Sequence, residues 1–306
     1  MNINQVDGKD LEIKAYPNRE THLGELRISR ALPIREHRLV GPWCFLDRFG
    51  PITFSESKPM NVLPHPHIGL QTETWLLDGE VLHTDSIDTE AIVRPGGVNI
   101  MTSGKGIAHA EMTPKKNTGH LDGVQLWIAL PDAYRKMEPS FDSILEVPKL
   151  EFHGGVIHLF AGSFDKITSP GKFYSEIFGI DLEVHPEDQV EIGLNSEFEH
   201  AALVLGGDCI FEDQTLETKT LYYLNPGRSA AAIKSREGCR LLLIGGTPFP
   251  EKILMWWNFV GRTPEEIARA RSDWEETDRF GKVRGTYKSR LSAPNLSRFA
   301  DPNPAS

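Results

Sequence analysis

The alternation of apolar and polar residues along most of the chain predicts short β-strands. Leu26 and Ile28 alternate with polar neighbours, as in a strand with one buried face, whereas the apolar run at 39–46 is typical of a strand buried on both faces. Turn sequences rich in glycine, proline and aspartate, such as 78–79 and 94–97, separate these segments. Many short strands joined by tight turns indicate an all-β sandwich or barrel.

The same rhythm returns after a polar, proline-containing segment at 131–148. Strand-like segments between Val156 and Ile244 are again separated by glycine turns, which indicates an internal duplication with two similar barrels. A chain of 306 residues is long enough for two domains. We therefore predict an amino-terminal barrel at 1–138 and a carboxy-terminal barrel at 139–306.

One short helix is predicted in the carboxy-terminal domain, at about 263–276. Thr263 is suited to cap this helix, Pro264 to occupy its first position and Glu266 to complete a capping box. Apolar residues up to Trp274 then recur at helical spacing on one face. The tail that follows has little periodicity, so we predict that it is irregular.

The charge balance is acidic, with 33 Lys and Arg against 43 Asp and Glu and a formal net charge of −10. Such a surface disfavours extensive non-specific binding of nucleic acid. We interpret the basic residues at 279–290 as a solvated part of the tail. The sequence has no apolar run of about 18 residues and no secretory pattern at its start, which predicts that it does not enter a membrane. We predict a cytoplasmic protein, or a nuclear one if the source is eukaryotic.

Three cysteines, Cys44, Cys209 and Cys239, are far apart and form no Cys-x-x-Cys pair. An odd number of widely spaced cysteines indicates neither a zinc knuckle nor a disulfide framework. We interpret them as reduced and mostly buried thiols.

The candidate chemistry lies in two short pairs, His65-Pro66-His67 and His109-Ala110-Glu111. Residues two apart in an extended strand point to the same face, so two such pairs on neighbouring strands could aim four ligand atoms at one point. Three nitrogens and one oxygen suit a first-row transition metal better than calcium or magnesium. The alternative is that the histidines are core residues bonded to backbone carbonyls. The second half has no such pair, since His185 and His200 stand alone, so any metal site belongs to the first half.

These residues, together with several flanking motifs, resemble the pirin family of bicupins within the cupin superfamily. The resemblance runs from about residue 24 to residue 274 and is carried by the motifs at 39–51, 65–70, 76–79, 94–97, 101–107, 109–111 and 257–260. It implies two antiparallel β-barrels packed together, with a metal only in the amino-terminal one. The implied ligands are His65, His67, His109 and Glu111, and the implied metal is Fe(II). Nickel, manganese, zinc and copper accept the same ligands, so the identity of the metal stays open.

Some pirins are similar in activity to quercetin 2,3-dioxygenase, so the resemblance implies cleavage of quercetin or a similar flavonol or enolic substrate with dioxygen. Glu111 would then be both a ligand and the candidate catalytic base. The alternative is an iron-dependent, redox-sensing protein that binds a transcription factor or a metabolic enzyme. Four large side chains are predicted to be core or pocket walls that fit a flat aromatic substrate: Phe54, Trp75, Met101 and Trp127.

Three positions depart from the family pattern. Ile68 and Leu70 stand where many pirins have arginine and phenylalanine, and Gln71 stands where many have glutamate. We expect these changes to remove a charge at the pocket mouth and a carboxylate beside the ligands.

Overall fold

The structure is a computed structural model that describes residues 12–23, 26–55 and 59–296. The last ten residues of the predicted irregular tail, 297–306, lie outside the described residues, as does the start of the family resemblance at Gly24. Short β-strands dominate the described residues, as the sequence predicts. Within them, no helix is both long and apolar enough to cross a membrane.

The strands of the first half are β1 (Ile13–Pro17), β2 (Arg19–Leu23), β3 (Leu26–Leu32), β4 (Trp43–Thr53), β5 (Asn61–His67), β6 (Leu70–Asp78), β7 (Val81–Asp85), β8 (Glu90–Val93), β9 (Val98–Thr102), β10 (Ile107–Met112), β11 (His120–Ala129) and β12 (Ser140–Ile144). Those of the second half are β13 (Lys149–Phe152), β14 (Gly155–Phe164), β15 (Ile167–Thr168), β16 (Ile177–Val184), β17 (Gln189–Gly193), β18 (Glu199–Gly207), β19 (Cys209–Phe211), β20 (Gln214–Leu216), β21 (Thr220–Leu224), β22 (Ala230–Lys234), β23 (Cys239–Gly246), β24 (Leu254–Trp256) and β25 (Phe259–Gly261), followed by helix α1 (Pro264–Glu276).

The strand order shows that the chain is a duplicated all-β protein. The amino-terminal barrel has one sheet in the order β12-β9-β6-β11-β4-β3-β2 and a second in the order β5-β10-β7-β8. The carboxy-terminal barrel repeats this pattern, with β1-β21-β18-β23-β16-β14-β13 in one sheet and β17-β22-β19-β20 in the other. The strands pair antiparallel. The predicted duplication into two cupin-type barrels is therefore confirmed.

The division of the chain differs from the single cut predicted between residues 138 and 139. Among the described residues, the amino-terminal barrel consists of those within 20–28, 44–146 and 250–296. Residues 147–249 form the carboxy-terminal barrel together with 29–43 and the described residues before 20. The reason is strand pairing over long sequence distances. The edge strand β1 pairs with β21, as β12 pairs with β9 in the other barrel. Such exchanges leave no local signature, because each strand alone satisfies the same alternation.

Helix α1 therefore belongs with the amino-terminal barrel and not with the carboxy-terminal one as predicted. Its boundaries match the prediction, and its cap Thr263 accepts a hydrogen bond from the backbone of Glu266 at 3.3 Å. The buried face of α1 packs in a cluster with Phe259 and Ile68. Val260 also donates a backbone hydrogen bond to Ile68 at 3.0 Å, which joins the short hairpin β24–β25 to the strand that carries the first histidine pair.

The described part of the tail, 277–296, contains no helix or strand, in agreement with the prediction. It lies on the amino-terminal barrel, where Phe280 and Val283 join the cluster around α1. The indole of Trp274 donates a hydrogen bond to the carbonyl of Leu291 at 2.8 Å. All three cysteines are buried and none forms a disulfide.

An apolar cluster fills part of the amino-terminal barrel. It includes Leu26, Phe49, Leu76 and Leu121, with Phe54 packed against it. The inward residues of β5 and β10 that follow this cluster along the strands are the histidines and the glutamate. The fold thus places buried polar groups beside a well-packed apolar layer.

Candidate metal centre

Three predicted histidines converge because of the pairing between β5 and β10. The register sets His65 directly opposite His109, and His67 lies two residues along the extended β5 on the same face. Their ring centroids are 4.4 Å apart for His65 and His109, 5.0 Å for His65 and His67, and 4.9 Å for His67 and His109. All three are buried, and one ring nitrogen from each lies within 4.8 Å of the others. This spacing suits three ligands of one cation.

The hydrogen bonding leaves nitrogens free for such a cation. His65 Nδ1 lies 2.8 Å from the carbonyl of Leu63, which requires a proton on Nδ1 and leaves Nε2 as a lone-pair donor. Among the described residues, neither ring nitrogen of His67 has a partner at normal hydrogen-bond geometry, although a weaker interaction with the backbone of Asn258 opposes the effect of burial on its pKa. Buried polar atoms without partners are costly, and a metal ion would satisfy them. The residues present therefore fit a metal ion.

The protonation states fit as well. Burial lowers the pKa of His65 to about 4 and holds the pKa of His67 and of His109 well below the usual range. The neighbouring imidazoles lower the pKa of His67 and His109 further, since adjacent positive charges would repel. Neutral imidazoles are the forms that bind metals.

Glu111 stands on β10 beyond a shift in register that follows His109. It is buried, and its Oε1 accepts a hydrogen bond from the hydroxyl of Thr74 at 3.2 Å. Burial raises the pKa of Glu111, although His83 and the bond from Thr74 oppose this shift. A carboxylate oxygen of Glu111 lies within 4.8 Å of nitrogens of His109 and His83. The four predicted residues thus form two overlapping groups that share His109.

His83 is a candidate functional residue that the sequence analysis missed. Its Nδ1 lies 3.3 Å from Nδ1 of His109, and its Nε2 lies 3.1 Å from Oδ2 of Asp85. Burial alone would raise the pKa of Asp85, but hydrogen bonds from His83 and Thr89 lower it overall. Asp85 is therefore ionised and accepts a hydrogen bond from the Nε2–H group of His83. The tautomer of His83 with its proton on Nε2 presents Nδ1 to His109 as an acceptor. The available signal was the spacing itself, because His83-Thr84-Asp85 is a third pair two residues apart.

Aromatic rings border the histidine cluster. Trp127 meets the edge of His67 at 5.1 Å between centroids and stacks on Phe45 at 4.0 Å with an angle of 13°. Phe141 stacks on His83 at 4.3 Å. Met101 and Trp127 both pair with Thr72, so they share the inward face of the sheet. These rings form a flat apolar wall beside the candidate ligands.

The four predicted wall residues divide by strand face. Met101 and Trp127 face inward beside the histidines, as predicted for pocket walls. Trp75 is fully buried but follows Thr74 on β6 and so points to the opposite face of the sheet. Phe54 packs against the apolar cluster. The latter two are plain packing residues.

Two of the three departures from the family pattern, Ile68 and Gln71, lie on strand faces turned away from the ligands. Ile68 packs against the cluster around α1, and Leu70 is fully buried. Gln71 donates a hydrogen bond to the hydroxyl of Thr102 at 2.9 Å and shares the outward face of β6 with Glu73 and Trp75. The expectation that Gln71 replaces a carboxylate beside the ligands is therefore wrong.

The comparison with protein families decides the relationship. Residues 25–128 match the family described as Pirin, and residues 179–281 match the Pirin C-terminal cupin domain. This chain belongs to the pirin family. The resemblance drawn from the sequence motifs is thereby confirmed, and the pirin fold accounts for the two barrels.

Two similar proteins carry the same activity in their names. A Pseudomonas aeruginosa protein named "Putative quercetin 2,3-dioxygenase" is 42% identical over 274 residues, which cover 89% of this pirin and 87% of that protein. A crystal structure of quercetin 2,3-dioxygenase from Acinetobacter baumannii has a TM-score of 0.91 and 39% identity and covers 95% of this pirin and 97% of that chain.

A more distant similarity is that to a bacterial pirin from Escherichia coli, solved in complex with nickel(II). Its TM-score is 0.61 at 17% identity, with 78% of this pirin and all of that chain covered. At this identity the likeness shows the fold alone. The histidine and glutamate cluster of this pirin is compatible with a metal site on its own geometry.

Proposed function

We propose that this pirin is a metal-dependent dioxygenase that cleaves quercetin or a similar flavonol or enolic substrate. The proposed ligands are His65, His67, His109 and Glu111, and the proposed metal is Fe(II). One observation carries the proposal: three buried, neutral imidazoles converge, with one ring nitrogen from each within 4.8 Å of the others.

The relatives support the reaction, and the donor set supports the kind of metal. Both similar proteins above are named for quercetin 2,3-dioxygenase activity. A set of three nitrogens and one oxygen accepts Fe(II), Ni(II) and other first-row ions, and the Escherichia coli pirin is described with nickel(II). We propose iron among these ions, and a direct metal analysis tests this choice.

A divalent ion held by these ligands would acidify a bound enol or phenol and offer open positions to the substrate and dioxygen. The residues around it have their own tasks. The Glu111 carboxylate, oriented by the Thr74 hydroxyl, accepts the proton from the substrate hydroxyl. Its raised pKa suits this task, because a more basic carboxylate holds the proton better.

A flat substrate would bind against the aromatic rings that border the histidine cluster. Trp127 stacks on Phe45 at 4.0 Å and lies 5.1 Å from His67 between centroids, so an aromatic substrate would stack beside these rings. Gln125 and Thr74 pair across β11 and β6 and supply polar atoms on the same inward face, where Gln125 Oε1 at 3.0 Å and Glu111 Oε1 at 3.2 Å are alternative acceptors for the Thr74 hydroxyl. The low exposure of these residues keeps bulk water away from the reacting atoms.

The metal is tested on protein expressed without a metal-binding tag. Elemental analysis is expected to find iron at about one equivalent per chain, since one four-residue set binds one ion. Another metal at that level would contradict iron, and no metal at all would contradict the site.

The reaction is tested by mixing metal-loaded protein with quercetin under anaerobic conditions and then adding oxygen. We expect loss of the flavonol absorbance and release of carbon monoxide. His109→Ala should show no product above the background, whereas His120→Ala, an exposed histidine in the same barrel, should keep full activity. Equal rates for the two variants would overturn the proposal.

A further inference from the structure

The carboxy-terminal barrel contains a cavity that the proposed reaction does not use. Its volume is about 930 Å³, at the upper end of the range of sites that enclose small organic ligands. Strands β13, β14, β16 and β17 and the connection from β14 to β16 contribute its walls. It lies wholly within residues 150–198.

Part of the cavity wall is aromatic and apolar. Five phenylalanines line the cavity: Phe152, Phe164, Phe173, Phe178 and Phe198. Phe164 and Phe178 stand 6.2 Å apart with an angle of 35°, and Phe152 and Phe164 are only partly buried against the barrel core. Because these side chains are partly exposed, a ligand that removes their apolar surface from water would bind with a favourable free energy.

A buried imidazole stands behind this wall. His200 on β18 shares the inward face with Ala202, and its ring contacts Phe178 at 5.6 Å and Phe198 at 6.2 Å between centroids. It is fully buried, and neither ring nitrogen has a partner among the described residues. Burial lowers the pKa of His200 to about 4, so the ring is neutral. His200 does not itself line the cavity, so a polar group that hydrogen-bonds to it must pass between the two phenyl rings.

The charges of the cavity restrict the ligand. Asp165, Glu176 and Glu191 line it, and no lysine or arginine is among its lining residues. Lys166 and Lys172 belong to the same connecting segment but do not line the cavity. A negatively charged ligand would meet carboxylates without a compensating cation, which is unfavourable.

We propose that the carboxy-terminal barrel binds an uncharged aromatic molecule, held between phenylalanine side chains with one hydrogen-bonding group directed at His200. This site is separate from the metal centre in residues and in chemistry. Its occupation does not depend on whether quercetin is the substrate of the amino-terminal barrel.

Two related dyes test the charge and the aromatic preference on the full-length, metal-loaded protein. N-phenyl-1-naphthylamine is uncharged and carries one N–H group, and 1-anilinonaphthalene-8-sulfonate is the same framework with an added sulfonate. We expect a saturable fluorescence increase with the first dye and an affinity weaker by about tenfold or more with the second, because burying the sulfonate among carboxylates is costly. Equal affinities, or no saturable binding of the uncharged dye, would overturn the proposal.

The location is tested by matched substitutions. Phe164→Glu should weaken binding of the uncharged dye by about tenfold, since it places a charge in the apolar wall. Phe54→Glu makes the same change at a partly buried phenylalanine of the other barrel and should leave binding unchanged. Phe173→Glu, in the connecting segment, repeats the test if Phe164→Glu does not fold. His200→Leu should weaken binding about threefold by removing one hydrogen bond.

Hydrogen exchange gives a readout that does not depend on any substitution. The dye should slow amide exchange in peptides covering 150–178 and 190–198 and leave 61–78 and 107–129 unchanged. Protection confined to the latter two segments would place the dye at the metal centre and overturn the proposal.

Discussion

The two barrels share one strand order but have different kinds of residues at the same inward positions. In the amino-terminal barrel the inward residues of β5 and β10 include His65, His67, His109 and Glu111. In the carboxy-terminal barrel the corresponding strands β17 and β22 direct Val190, Ile192, Ala231 and Ile233 into the apolar core. The barrel is therefore fixed by pairing and alternation, while a few inward residues decide whether it carries polar chemistry.

The polar inward residues of the amino-terminal barrel lower the stability of the fold relative to aliphatic ones, and a bound metal ion would offset this loss. Burying a valine or isoleucine contributes about 1.5–3 kcal/mol of stability, whereas a buried imidazole without partners is unfavourable. The amino-terminal barrel gives up the first contribution at its histidines and carries the second at His67. Under the proposed function a bound metal ion would restore the balance at the histidine pairs, whereas the second barrel has aliphatic side chains at the matching positions of β17 and β22.

Exchanging a histidine for leucine in each barrel tests this contrast most strongly. His67→Leu should abolish metal binding and raise the stability of the metal-free protein. His200→Leu should leave the metal content unchanged, because His200 lies in the barrel without ligand pairs. The metal content per chain and urea unfolding of the apo proteins are the measurements. A normal metal content in His67→Leu would break the comparison.

The next largest effect is expected at the pair His83 and Asp85. Asp85 fixes the His83 ring that contacts His109, so Asp85→Asn should weaken metal binding by about 10–100-fold, as is usual for groups that orient a ligand. Asp88→Asn, an exposed aspartate in the following turn, should have no effect. Competition with a metal-sensitive dye measures the affinities. Equal affinities for the two variants would show that His83 does not orient His109.

The fold and the three-histidine cluster could be predicted because they depend on local patterns. Alternation of apolar residues with glycine turns predicted the strands, and pairs two residues apart predicted which side chains share a face. His83 was missed although His83-Thr84-Asp85 has the same spacing, because a single His-x-Asp pair also occurs in ordinary hydrogen bonding. Only the pairing of β7 with β10 brings it beside His109.

The division into units could not be predicted for a physical reason. The pairing of β1 with β21 joins residues about 200 positions apart, and the packing of α1 against Ile68 does the same in the other direction. Neither contact affects the local alternation from which strands and helices are inferred. The helix itself was predicted correctly because its cap at Thr263 is a local signal.

The pH dependence of stability sharpens the comparison from the side of the second barrel. His200 has a pKa of about 4 in the folded protein, below its unfolded value of about 6.5. The unfolded chain therefore binds the extra proton first, and stability is lost as the pH falls from 6.5 towards 4. Relative to His200→Leu, the wild-type protein should lose about 2 kcal/mol between pH 7 and pH 5. A pH-independent difference in urea unfolding would contradict a buried, neutral His200.

The smallest effect is expected on the outward face of β6. Glu73 is fully buried, neither carboxyl oxygen has a hydrogen-bond partner among the described residues, and burial raises its pKa well above the usual range. The second barrel has Ala201 at the matching distance before the glycine that ends its hairpin. Because the folded state retains the Glu73 proton, stability falls as the pH rises above about 4.5.

Glu73→Gln should therefore stabilise the protein at pH 8 and have no effect at pH 4, where the carboxyl is neutral in both states. Thermal unfolding at the two pH values measures the difference. Glu80→Gln, in the next turn of the same barrel and paired with Arg94, serves as the control and should not stabilise at pH 8. A loss of stability in Glu73→Gln at pH 8 would mean that the carboxylate is needed in its charged form, and the contrast with Ala201 would then reflect a function of Glu73 rather than a tolerated packing defect.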